Sequence, residues 1–157
     1  MGAATGVGLG RAAQALVEFA LVLLVMCGLL VGAIDYGRVM NVYLVTVHAT
    51  REAARIASIA GSTTSAVQSA ARNAAQDSIA PAQLAVTCRA ATFDASSGTY
   101  TSSGTCGSPL VADSAFEVSV STTVTPLVPV TGLLFGSFTF AAIPVSYSLA
   151  GIVQSGP

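Results

Sequence analysis

An α+β fold follows from three features of the sequence. About twenty near-continuous apolar positions run from Ala15 to Ile34, a helix-period stretch continues them without a break, and polar and apolar residues begin to alternate after Gln83. The expected architecture is a long N-terminal hydrophobic helix inserted in a membrane, a second short helix and a small antiparallel sheet head with one disulfide. A charged fraction of 8% agrees with this, being far below the ~25% of ordinary soluble domains.

The first helix is the most legible element. About 20 apolar residues span a ~30 Å hydrocarbon core, and Ala15–Ile34 interrupts its apolar run only at Glu18. Beyond it, "DYGRVMNVYLVTVHATREAARIASIAG" contains no proline. Asp35 and Arg38 stand three apart and can form a salt bridge on one helical face, while Tyr36, Met40, Tyr43 and Val47 recur at spacings of three and four. Ala49, Ala53, Ala57 and Ala60 form a small-residue stripe beside Arg51, Glu52 and Arg55, which outweighs the β-branched run at Val42, Val45, Thr46 and Val47. One helix from about Ala15 to Ala60 would be roughly 70 Å long, so half of it must stand outside the membrane.

Gly61 and Ser62 supply a helix stop, and Thr63 or Thr64 can cap a second helix running to Ile79 before Pro81, with Val67, Ala70, Ala71 and Ala74 on one side. An antiparallel sheet of three or four short strands is then expected, with strands in "LAVTCRAATF", "AFEVSVSTTV" and the interrupted "SFTFAAIPVSYSLAG". Asp94 to Gly107 reads as a turn-rich loop, and "TPLVPVTGLLFG" as an apolar loop whose prolines argue against a central strand.

The cysteines divide by this topology. Cys27 lies inside the apolar helix as a small buried hydrophobe. Cys88 and Cys106 both fall in the exported part, spaced too widely for a CxxC motif and without a local histidine, so a disulfide is expected rather than a metal site.

Several function classes fall away. The 6 arginines face 7 acids with no polybasic run, which leaves no electrostatic footprint for nucleic acid. No nucleophile elbow, P-loop or zinc-protease motif occurs, and "GVGLG" has no strand before it to make a dinucleotide fingerprint. The single histidine, His48, reads as a surface partner of Glu52 four residues on, while Asp77, Asp94, Asp113 and Glu117 read as turn or solvated-face residues. The expectation is a protein that is not an enzyme and holds no cofactor, metal or small-molecule substrate.

Glu18 is the expensive residue. An unpaired charge in the bilayer core costs roughly 2.5 kcal/mol or more, so the acid either snorkels to the nearby cytoplasmic headgroups or meets a cation at its own depth. Gly28 and Gly32 add a small-xxx-small spacing suited to close helix approach.

The segments "QALVEFALVLL", "DYGRVMNVYLVTVHATREAARIAS" and "VTPLVPVTGLLFG" resemble the TadE-like minor pilins, or pseudopilins, of tight-adherence pilus systems, which are relatives of type IVb pilins. The resemblance runs from about Arg11 to Ile143. It implies that a prepilin peptidase cuts between Ala13 and Gln14, leaving Glu18 as the fifth mature residue and Phe19 in the usual aromatic position. Where the family has Gly before the cut, this chain has Ala13; the alternative at Gly10 would leave Glu18 eighth. The freed ammonium of Gln14 in one subunit would then neutralise Glu18 of another and set the stagger between helices.

The resulting organisation is a leader at 1–13, a transmembrane stretch at 14–34, an exported helical continuation at 35–61 and a pilin-like head at 62–157. The resemblance implies other pilin subunits, major and minor, the pilus assembly platform, the prepilin peptidase and the lipid bilayer as partners. It places the chain in the bacterial inner membrane with the head outside the cytoplasm, and in a pilus used for surface adhesion. Arg11 ahead of the apolar run gives the same orientation by the positive-inside bias. Two rivals stay open: a secreted binding domain cut after Ala33, and a single-pass anchored binding or sensor domain that keeps all its residues. Met26 before Cys27 is too large for a lipobox.

Overall fold

The computed structural model describes residues 6–125 and 142–155, in the order α1 (Gly6–Ala57), α2 (Thr64–Ala75), a 3-10 turn at Pro81–Gln83, β1 (Ala85–Asp94), β2 (Thr99–Ser103), β3 (Ala115–Val124) and β4 (Ile143–Ile152). Most of the apolar loop "TPLVPVTGLLFG" and the "SFTF" start of the expected third strand lie outside the described residues. The chain divides into two compact units with the boundary after Arg38, inside α1.

The described part of the first unit is helix. It begins at Gly6, earlier than the apolar run, because Arg11, Ala12, Ala13 and Gln14 are strong helix formers and no breaker follows the glycines.

In the second unit α1 contributes a stripe of small side chains to the core shared with α2 and the sheet. Ala49, Ala53 and Ala57 are fully buried, with Ala54, Thr46 and Thr50 beside them. The threonine hydroxyls are satisfied within the helix, Thr46 Oγ1 donating to the Val42 carbonyl and Thr50 Oγ1 to the Thr46 carbonyl, each at 2.8 Å. Methyl and hydroxyethyl groups at these positions keep the buried side of α1 shallow. The row Met40 and Tyr43 points away from this interface and is exposed.

The helix ends at Ala57 rather than at Ala60, because residues 58–62 are captured by two other parts of the chain. Gln154 N donates to the Ser58 carbonyl at 2.8 Å and Ala60 N to the Gln154 carbonyl at 3.3 Å; Gly61 N and Ser62 O bond the Leu110 backbone at 2.9 and 2.8 Å. Gly61 takes φ +84, which an L side chain resists. Thr63 is the N-cap of α2, its hydroxyl accepting from Ala66 N. That helix stops at Ala75, short of the expected Ile79, and its buried line is Val67, Ala71 and Ala75, with Ala70 and Ala74 only half-buried. Ile79 is buried past the helix end, in the turn that leads to the sheet.

The sheet is antiparallel with order β2-β1-β3-β4. Its inner face carries Val86, Cys88, Phe116, Val118, Val120 and Val145, and it shares one core with the buried stripes of α1 and α2. β3 matches the expected strand end to end, because its apolar residues alternate without a slip. β2 corrects the expectation of a loop from Asp94 to Gly107. It is an edge strand, exposed but for half-buried Ser102, so it carries no apolar period to read. Its turn is built by Asp94, whose carboxylate accepts from Ser96 N at 2.9 Å, Ser96 Oγ at 2.6 Å and Ser97 Oγ at 2.9 Å, while Gly98 takes φ +67. These donors hold the Asp94 carboxyl down at about pKa 2. The disulfide Cys88–Cys106 spans a Cα separation of 5.4 Å and ties the chain after β2 back to β1.

Candidate assembly face of the N-terminal helix

The apolar residues from Leu16 to Ile34 have nothing to pack against within the described chain. Leu16, Phe19, Leu21, Leu29 and Leu30 are all at least 60% exposed, a degree that an aqueous surface does not sustain across consecutive turns. Among the described residues α1 is the one helix long and apolar enough to cross a membrane, and none of its most apolar stretch is buried.

The expected processing, register and helix-packing residues lie in the N-terminal part of α1. Ala13, Gln14 and Glu18 are exposed, and Gln14 and Glu18 stand one helical turn apart on the same side. Glu18, Val25 and Gly32 recur every seven residues, so the acid and a glycine share a face. Gly28 and Gly32 have open space where a Cβ would project, leaving bare backbone for a neighbouring helix. Cys27, expected as a buried hydrophobe, is exposed, because no other part of the described chain covers this part of the helix. The structure brings Asp35 and Arg38 together, with Nη1 donating to Oδ1 at 3.2 Å.

Residues 13–55 match the TadE-like protein family. The match covers α1 alone, taking in its apolar stretch, Glu18, the Asp35–Arg38 pair and most of the buried alanine stripe, and it stops before α2 and the sheet. The match suggests an association with Tad pilus components. No curated protein and no solved structure matches the chain.

Two readings change with the geometry, one inside the matched segment and one outside it. Glu52 does not bond His48; its carboxylate takes a bidentate hydrogen bond from Arg55, with Nη2–Oε1 at 2.6 Å, because the guanidinium fork one turn on fits a carboxylate better than an imidazole does. Glu117, read as a solvated carboxylate, stands half-buried and opposite Arg89 on the sheet face that the helices leave open. Alternation alone puts Thr87 and Arg89 on the polar side of β1, and Glu117 and Ser119 on that of β3. The register that joins them comes only with the fold. Among the described residues no group of three or more His, Cys, Asp or Glu side chains is placed to hold a metal ion.

Proposed function

We propose that the chain is a minor pilin-like subunit of a tight-adherence pilus, built into the fibre or supporting its assembly. α1 holds it in the inner membrane, with the head outside the cytoplasm, until it joins other pilins through the assembly platform. The observation that carries this reading is an exposed carboxylate, Glu18, in the exposed apolar run of a helix within the TadE-like segment. In hydrocarbon such an acid demands a partner, and cleavage between Ala13 and Gln14 by a prepilin peptidase would create an ammonium one turn away. Paired between neighbouring subunits, the two charges fix the stagger, while apolar packing along the helices supplies most of the attraction. Adhesion to surfaces is then a property of the fibre rather than chemistry done by this chain.

The test is the N-terminal mass of the protein recovered from its native envelope. A mature chain beginning at Gln14 supports the proposal. An intact Met1, or a start at Ile34, overturns it in favour of a plain anchor or a secreted domain respectively.

A further inference from the structure

The helices cover one face of the sheet, and among the described residues nothing covers the opposite face. Strand register lays three rows across it: Thr87, Ser119 and Ser148; Arg89, Glu117 and Ala150; Ala85, Ser121 and Ser146. Thr87, Ser119, Ser146 and Ser148 line a hollow of about 430 Å³ together with Arg89 and Glu117, and Tyr147 also contributes to its wall. Its volume falls within the range of small-molecule sites.

Arg89 and Glu117 are direct cross-strand partners of opposite charge, yet among the described residues neither makes an ion pair or side-chain hydrogen bond. Their donors and acceptors are therefore available to a ligand. Of the hydroxyls, that of Thr87 leans on the Ser119 carbonyl at 3.4 Å, and the serines offer both a proton and lone pairs.

We infer that this hollow is a binding site for a neutral oligosaccharide. An anion would meet the carboxylate of Glu117, and a cation the guanidinium of Arg89. An apolar ligand would find only the methyls of Ala85, Ala150 and Thr87 in the three rows. A sugar matches the set, because each of its hydroxyls both donates and accepts. Vicinal hydroxyls can take the guanidinium fork on one side and the carboxylate on the other, and the short Ser and Thr side chains lose little rotamer freedom in binding. The hollow lies wholly in the unit beyond Arg38 and does not require the chain to enter a fibre, so the N-terminal mass and this binding can fail separately.

The experiment is saturation-transfer NMR on the full-length chain in a detergent without a sugar headgroup. Cellotriose, maltotriose and N,N′,N″-triacetylchitotriose serve as probes, with sialyllactose and trilysine as charged comparators. Saturable binding of at least one neutral trisaccharide below about 10 mM is expected, weakened at least about tenfold in both Arg89→Ser and Glu117→Ala. Ser148→Leu, which fills the hollow from the edge strand, should abolish it. Each variant is scored only with the Cys88–Cys106 bond intact and a parental far-UV spectrum; should one fail that check, Thr87→Val replaces it with the same expected loss. Absence of binding by all three trisaccharides, binding of sialyllactose or trilysine alone, or unchanged binding in the folded variants would overturn the inference.

Discussion

The ring of Phe116 lies against Gly151 on the neighbouring strand, so close that a Cβ at position 151 would stand 3.0 Å from Cζ. Phe116 is the largest fully buried side chain among the described residues, and the missing side chain opposite it makes the room. Gly151→Ala should therefore destabilise the head by about 1–3 kcal/mol, the overpacking penalty exceeding what alanine gains in strand propensity. Thermal unfolding followed by circular dichroism measures it, and a variant as stable as the parent would show that the ring has somewhere to go.

Ala53 occupies the centre of the α1 stripe with no exposed surface. Ala53→Leu overpacks the core shared with α2 and the sheet, with an expected loss of about 1–3 kcal/mol. The same change at exposed Arg51 should stay within about 0.5 kcal/mol. A comparison of the two by chemical denaturation separates burial from helix propensity.

Reduction of Cys88–Cys106, or the paired change to serine, releases a loop with a sequence separation of 18. The chain-entropy relation gives a loss of about 3 kcal/mol. Urea unfolding with and without reductant tests the figure, and non-reducing peptide mapping of the native protein should show both thiols blocked.

Asp94 titrates near pH 2 because its ionised form collects three donors from Ser96 and Ser97. A depressed carboxyl stabilises the fold above its unfolded value of about 4, and that contribution is lost as pH falls from about 4 through 2. Carbon-detected NMR titration of the head resonances should place the Asp94 midpoint below those of ordinary aspartates. Asp94→Asn should make turn stability flat across that interval.

Glu18→Ala should leave membrane insertion and cutting intact while lowering co-purification of partner pilins about tenfold. Equal recovery of partners by mutant and parent would remove the pairing argument.

Sequence patterns reached the elements whose burial is periodic. The alanine stripe of α1, the alternation in β3 and the Thr63 cap could be read because each needs only local spacing. β2 could not, since an edge strand made of Thr, Tyr and Ser has no buried side to advertise. The end of α1 also escaped local reading: the spacing of Ala57 and Ala60 favours more helix, but Gln154 and Leu110, both distant in sequence, take the backbone groups of residues 58–62. For the same reason the opposition of Arg89 and Glu117 became visible only with strand register. Glu18 needed no structure at all, because a charge among leucines is anomalous wherever the chain folds.

The tie between Gln154 and the residues that follow α1 bears on how the molecule would carry tension. A parallel bridge pulled along its own direction must break its hydrogen bonds together, whereas a hairpin opened from its end loses them singly. Axial load on the helix would thus be shared at once by the C-terminal strand and the Leu110 segment, and the joint would give way as a block rather than peel.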